Sequence, residues 1–351
     1  MPGVVGNNTD FDPPGGSKET KDGKIRLKQR LQKHYDMSAE QFLKVWGEHI
    51  HQGYFKSPTD TNEQAQINQV NQLIESSGIT AGSRVLDVGC GIGGTARYLA
   101  REQGCKVTAI TNSRRQVEMA RELTVIAGVE KGSSSPPRPP TLDNTDFVLL
   151  PPSAPSTSIS AGAGAVRVLN LDIEKMREHF SETLGETFDC IWFSEVIFHL
   201  HTRQLCFDSA FALLEPGGCL IIADMFAAQD PASSSKRALK ELQSISRNHL
   251  CPQLSTVNEY MQMAQKAGFT PRHEPMDITK NVAKTWDTSL PILSVLYLIS
   301  QGPDAIGYMR GMRSMKKAYA HGTATYAILC FEKPRGVINS ETEADAEVSD
   351  L

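Results

Sequence analysis

The chain has 351 residues, 40% of them hydrophobic, with 36 Lys and Arg against 40 Asp and Glu and a formal net charge of -4. That length suits one large α/β core with insertions better than two small domains. The mild acidity and the lack of a long Lys/Arg run argue against a nucleic-acid partner.

Residues 1–23, rich in Gly, Pro, Asn and Asp, read as a disordered tail with neither a secretory nor a transit signature. A single domain over 24–334 is expected to follow. Ser38 with Gln41 predicts a capping box that opens a short helix through Phe42, Val45 and Trp46. Thr61 with Gln64 predicts a longer helix, with Ile67, Val70 and Ile74 on one stripe and Gly78 as its stop. From Arg84 strand and helix alternate: strand 84–88, helix 94–102, strand 107–110, then helix 114–127 closed by Gly128. Such alternation implies a parallel sheet with right-handed crossovers. Ser, Pro and Gly fill roughly half of 131–165, which reads as a flexible surface insertion. The sheet resumes at 166–169 and 189–193, followed by helix 203–214, the turn Glu215-Pro-Gly-Gly218 and strand 219–223. Thr256 with Glu259 caps a helix that runs to Gly268. The last strands are expected at 270–276 and 323–332, with 277–322 as a lid or pocket wall and 335–351 as a disordered acidic tail. The longest apolar run, 290–299, is broken by Pro291 and Ser294 and is too short to span a bilayer. The seven cysteines are odd in number and form no C-x-x-C pair, so free thiols in a reducing, cytoplasmic setting are expected.

The segment Arg84-Val-Leu-Asp-Val-Gly-Cys-Gly-Ile-Gly-Gly94 carries the chemistry. An apolar strand runs into a turn where Gly89, Gly91 and Gly93 let backbone approach a ligand, and the next helix points its free N–H groups at the same place. Gly89, Gly91 and Gly94 also satisfy the G-x-G-x-x-G pattern of dinucleotide sites. An NAD site wants an acid after the second strand, but Thr111-Asn112-Ser113 supplies none. That absence also departs from many S-adenosylmethionine (SAM) methyltransferases, so the strand pattern alone leaves the cofactor open.

Further segments carry a resemblance: His34-Tyr-Asp36, Trp46-Gly-Glu-His-Ile-His-Gln-Gly-Tyr54, Thr111-Asn-Ser-Arg-Arg-Gln116, Glu195 with His199, and Leu214-Glu-Pro-Gly-Gly218. With the glycine loop they resemble the class I SAM-dependent methyltransferases, within them the group of γ-tocopherol methyltransferase, sterol C-methyltransferases and cyclopropane synthases. The resemblance implies a Rossmann-like α/β fold: a mostly parallel seven-stranded sheet with helices on both faces and a helical lid. It implies SAM as cofactor and S-adenosylhomocysteine as product, without a metal. Asn112, Ser113 and Gln116 would meet the ribose region, Gln116 being otherwise a solvated helix residue. Asp172 would accept the adenine amino group or serve as a helix N-cap, and Ile173 would pack on the ring. Ser194 would face the cofactor. Asp87 would order the glycine loop or reach the methionine ammonium, and Tyr35 would close over the methionine end or pack in the core.

Methyl transfer from a sulfonium needs positioning and exclusion of water, and for a hydroxyl or an activated carbon it also needs a base. Glu195 and His199, spaced i, i+4 on an expected helical turn, are the candidates; His199 could instead only position its loop. Phe198 stands where the tocopherol enzymes carry a second acid, which favours a more apolar pocket. The H-x-H spacing of His49 and His51 lacks further metal ligands. The resemblance places their segment at the cofactor and acceptor entrance, and Trp286 with the apolar stretch 290–297 reads as pocket wall. A small lipophilic acceptor is expected, methylated at O, N or activated C, as in natural-product biosynthesis. The alternatives are a sterol or lipid C-methyltransferase or cyclopropane synthase, an NAD-dependent reductase, and a SAM-binding protein without turnover.

Overall fold

The computed structural model describes residues 21–128, 146–152, 163–287 and 303–335. Its helices are α1 Lys21–Trp46, α2 Asn62–Ser77, α3 Gly94–Gln103, α4 Arg114–Gly128, α5 Arg203–Leu213, α6 Lys236–Asn248, α7 Val257–Ala267, α8 Thr279–Val282 and α9 Pro303–Ala320. The strands are β1 Arg84–Val88, β2 Lys106–Thr111, β3 Val148–Leu150, β4 Gly164–Asn170, β5 Phe188–Ser194, β6 Leu214–Ala227, β7 Thr270–Pro271, β8 Met276–Asp277 and β9 Ala324–Glu332. They form one sheet in the order β3-β4-β2-β1-β5-β6-β9-β7, with β8 also paired to β9. The pairs from β4 through β2, β1 and β5 to β6 are parallel, whereas β3, β7, β8 and β9 join antiparallel. The α/β fold is therefore as expected, with nine described strands in place of seven.

Both faces of the parallel strands are apolar, as a sheet covered on two sides requires. Val85, Val107, Val166, Trp192 and Ile221 pack on one face. Leu86, Ile110, Leu169, Phe193 and Ile222 pack on the other. The seven cysteines are free thiols, and Cys190, Cys219 and Cys330 lie in the core. No helix among the described residues is long and apolar enough to cross a membrane.

Several boundaries differ from expectation, each for a local reason. The helix expected to open at Ser38 is the end of a 26-residue helix, because good formers such as Leu31, Gln32, Lys33 and Glu40 carry it through. The Thr61 hydroxyl accepts the Gln64 N–H, but the Gln64 side chain turns to Asn68, so that box is half formed. At Thr256 and Glu259 the box is complete. The expected insertion contains β3 and the start of β4: the apolar triplet Val148–Leu150 pairs with 164–166 despite the polar composition around it. The strand expected at 270–276 is two short pieces, both paired to β9. Strand β6 begins at Leu214, so the 215–218 turn is absorbed into it. The first 20 residues, most of the insertion, 288–302 of the lid and the C-terminal tail lie outside the described residues.

Candidate active site

Strands β1, β2, β4, β5 and β6 all end on one edge of the sheet, the edge where open α/β folds bind ligands. The turn after β1 is held there by two hydrogen bonds, from the N–H groups of Gly89 and Cys90 to the Ile110 carbonyl at 2.9 and 3.0 Å. Gly89 has φ +77°, and a Cβ there would lie 2.4 Å from Cγ2 of Val196. Gly94 has a different constraint, since its Cβ would sit 2.1 Å from the Glu48 carbonyl oxygen. The 46–54 segment is thus seated directly on the start of α3.

Between this turn and the ends of β2, β4 and β5 lies a cleft of about 970 Å³. It is lined by Asp87, Gly89 and Gly91 on one side, by Asn112, Gln116 and Ile173 on another, and by Ser194, Glu195 and His199 at its far end. Helix α1 covers it with Leu31 and Tyr35. That helix is tied down by the Lys28 ammonium on Asp172 at 2.6 Å, the Gln32 amide on the Asn112 carbonyl at 2.9 Å, and Asp36, which accepts the Ser113 hydroxyl at 2.6 Å.

Among the described residues lining the cleft, the polar atoms buried without a partner include Oδ2 of Asp87 and Oγ of Ser194, together with Nε2 of His51 and Nδ1 of His199. Desolvation alone pushes the Asp87 carboxyl up to about 7. A buried acceptor and hydroxyl of this kind call for a ligand that supplies donors and positive charge. The ammonium and ribose of SAM fit that demand, and Gly91, with only Ile50 Cδ1 near its missing Cβ at 3.6 Å, leaves room for them.

A second cavity of about 680 Å³ adjoins the first. Its wall includes Phe42, Trp46, Phe198, Met225, Leu250 and Trp286, and both cavities share Tyr35, His51, Glu195 and His199. The expected helical turn for Glu195 and His199 is not formed. Glu195 instead takes φ +57°, a strained value for a residue with a Cβ, and a 3-10 turn follows at Ile197–His199. Both side chains nevertheless reach the boundary between the cavities. Oε1 of Glu195 accepts the Gln52 N–H at 2.6 Å and the Tyr326 hydroxyl at 3.0 Å. Burial outweighs these bonds and pushes its carboxyl up to about 7. His199 is driven the other way, to about 3, by burial and then by neighbouring His249. Burial likewise lowers His51 to about 4.

Four expected site residues do not line either cavity. Gly93, at φ +78°, caps α3. Ser113 caps α4, its hydroxyl accepting the Gln116 N–H at 3.1 Å. Asp172 caps the turn at Ile173–Lys175 and pairs with Lys28. His49 faces Thr95 and Tyr98 behind the cleft wall, with its ring 5.6 Å from that of His51. Gln116 is buried, with the Thr111 hydroxyl donating to its Oε1 at 2.8 Å, and is not a solvated helix residue. Trp286 lines the second cavity and donates to Gln52 at 2.9 Å.

Sequence reasoning assigns no role to several other residues of the site, although Gln52 lies inside the 46–54 segment. Asp224, fully buried at the end of β6, accepts the Phe198 N–H at 3.0 Å and the Tyr260 hydroxyl at 3.2 Å, which fixes the loop that carries His199. Arg203 donates to the Phe198 carbonyl and to Ser255, clamping the same loop from outside. Gln52 accepts from Trp286 and Tyr319 and so joins the entrance segment to α9. Among the described residues, no group of three or more His, Cys, Asp or Glu side chains is arranged to hold a metal ion.

Comparison with known proteins bears on the fold and on the class of reaction. The profile of the family described as mycolic acid cyclopropane synthetase matches residues 23–134. The chain is 27% identical over 268 residues to the methyltransferase GfsG of Streptomyces halstedii, covering 75% of this chain and 80% of that one. It is 25% identical over 255 residues to 27-O-demethylrifamycin SV methyltransferase of Amycolatopsis mediterranei, covering 72% and 78%. Among solved structures it is similar to the mycolic acid cyclopropane synthase CmaA1 complexed with SAH and CTAB, with TM-score 0.63, 20% identity and coverage of 87% and 98%. The chain is a class I SAM-dependent methyltransferase, similar to the group that includes the tocopherol methyltransferases, sterol C-methyltransferases and cyclopropane synthases.

Proposed function

We propose that this enzyme methylates an O, N or activated C atom of a small, largely apolar metabolite, with SAM in the glycine-loop cleft and the acceptor in the adjoining aromatic cavity. The observation that carries the reading is the junction of the two cavities at Glu195 and His199. Asp87, Asn112, Gln116, Ile173 and Ser194 would hold SAM, with Tyr35 over it, and SAM supplies the activated methyl group. His51 and Trp286 would bound the acceptor. Holding both reactants in one enclosed space contributes proximity and excludes water.

Glu195 is the base in this reading. Both of its hydrogen bonds fall on Oε1, so a proton would be taken at Oε2. A carboxyl pushed up to about 7 is matched to proton abstraction near neutral pH. His199, with Tyr35 on its Nε2, orients the acceptor. The mechanism asks for no metal. The name of the rifamycin methyltransferase supports a natural-product acceptor, and the seven free thiols fit the reducing setting of a cytoplasmic enzyme.

A second reading, methylation of an alkene in a sterol or lipid, is favoured by the family profile and by the Phe42, Trp46 and Trp286 rings, whose faces would stabilise a carbocation. The test is incubation with methyl-labelled SAM and a fractionated extract of the source organism. Label on a heteroatom or aromatic carbon supports the first reading, and label on an alkyl carbon supports the second. No transfer, together with no rise in melting temperature on adding SAM, would overturn both.

A further inference from the structure

Beside the acceptor cavity lies a concavity that the proposed reaction does not use. It is a groove of about 690 Å³ between α6 and α9, and its charged lining residues are Arg247, Arg310, Arg313 and Lys317. No acid lines it. Arg310, Arg313 and Lys317 are spaced i, i+3, i+7, which puts them on one stripe of α9. At the floor, the hydroxyls of Ser244 and Ser314 meet at 2.8 Å, and the Asn248 amide donates to Ser244 at 3.1 Å. Lys316, off the stripe, is paired with Asp287 at 2.6 Å. Among the described residues no carboxylate is paired with Arg310, Arg313 or Lys317.

The concentration of charge is local. Helices α6 and α9 together carry eight Lys and Arg against two Asp and Glu, in a chain whose net charge is -4. Cations gathered in one concavity raise the local concentration of anions. Asn248 lines both this groove and the acceptor cavity, and His249 beside it lines the cavity. A molecule in the cavity that extends past Asn248 would therefore place its end among the cations.

We infer that the groove is a subsite for an anionic group, a phosphate or carboxylate, borne by the apolar acceptor itself. The inference rests on the acceptor-cavity reading above and narrows the substrate class to an amphipathic molecule with a charged end. Two guanidiniums on one stripe can offer paired N–H donors to such a group.

Dodecyl phosphate, kept monomeric, and dodecanol serve as probes for the full-length protein in calorimetry. The wild-type chain is expected to bind the phosphate at least about tenfold more tightly, with the difference shrinking as salt rises. The double variant Arg310→Gln/Arg313→Gln is expected to bind both equally while keeping its melting temperature and its SAM-induced thermal shift. Equal binding of the two probes by the wild type, or an undiminished preference in the double variant, would overturn the subsite. A third arm uses phosphatidylcholine vesicles with and without phosphatidylglycerol. Arginine-dependent capture on the anionic vesicles, without binding of the monomeric phosphate, would overturn it in favour of a bilayer surface. The SAM thermal shift is read independently, so loss of the methyltransferase reading and loss of the subsite are distinguishable.

Discussion

The phenol oxygen of Tyr35 on α1 lies 3.0 Å from Nε2 of His199, 164 residues further along the chain. Burial raises the phenol and drives the imidazole down to about 3, so at neutral pH the phenol keeps its proton and the ring is neutral. The phenol then donates to Nε2, which assigns the ring proton to Nδ1. A nitrogen already accepting a hydrogen bond, on a ring this weakly basic, is poorly suited to take a proton from the acceptor. We predict that Tyr35→Phe lowers kcat by about tenfold, the loss of one oriented hydrogen bond, and leaves SAM affinity within about threefold. Steady-state kinetics with SAM calorimetry checks this, and a large loss of SAM affinity at unchanged kcat would contradict it.

The pH dependence should belong to Glu195. Its carboxyl titrates near 7, and the base must be the carboxylate, so kcat/KM is expected to rise as pH climbs through about 7 and then level off. His199 titrates near 3, too low to shape this limb, so His199→Gln should lower activity and leave the limb in place. Glu195→Gln should remove the limb along with most of the turnover. A limb that shifts in His199→Gln and survives in Glu195→Gln would reverse the assignment.

The sequence disclosed the sheet and the glycine turn because both are local patterns: alternating strands and helices, and glycines directly after an apolar strand. It disclosed less of how the site is closed. Ser113 and Asp172 lie in the right segments, yet their side chains are taken by Asp36 and Lys28 of α1, contacts made across 77 residues and more. The capping role weighed for Asp172 is the one its carboxylate makes in the described contacts. Gln52 and Tyr326 both meet Glu195 from more than 130 residues away, and no spacing rule connects them. The i, i+4 reading of Glu195 and His199 failed because the strand-end Glu195 adopts a left-handed conformation, which sequence assigns by default to glycine. Local pattern thus marks the strand ends that border the two cavities, while the partners of those residues come from the tertiary fold.

Two neighbouring glycines should respond differently to alanine. At Gly94 a methyl would lie 2.1 Å from backbone, the Glu48 carbonyl, which cannot rotate away as a side chain could. Gly94→Ala is expected to destabilise the fold by about 2–4 kcal/mol and to displace the 46–54 segment. At Gly91 the methyl would meet only a side-chain carbon at 3.6 Å, so the fold cost is limited to the positive φ of 55°, about 1 kcal/mol. That methyl would occupy the cleft, and Gly91→Ala should weaken SAM binding by tenfold or more at nearly unchanged melting temperature. Melting curves with and without SAM distinguish the two, and equal thermal losses would show that the turn tolerates no methyl anywhere.

Asp87 should trade stability for binding. Its folded carboxyl titrates at about 7, above an unfolded value near 3.9, so between those values the folded chain holds a proton that the unfolded chain has released. The sign is therefore destabilising: the contribution is nil below about pH 4, grows as pH rises toward 7, and is then constant. Glu195 and Asp224, also pushed up to about 7, act in the same direction. The melting temperature of the protein without SAM should fall across this window. Asp87→Asn removes one of the three contributions, so its decline should be shallower and at pH 8 the variant should be the more stable by about 1–2 kcal/mol, less than the full shift because a buried amide also lacks a partner. The same substitution deletes the charge that would face the SAM ammonium, and SAM affinity should drop by tenfold or more. Calorimetry and melting at pH 5 and pH 8 test both halves together. Wild-type affinity in Asp87→Asn would remove Asp87 from the cofactor site even if the stability change had the expected sign.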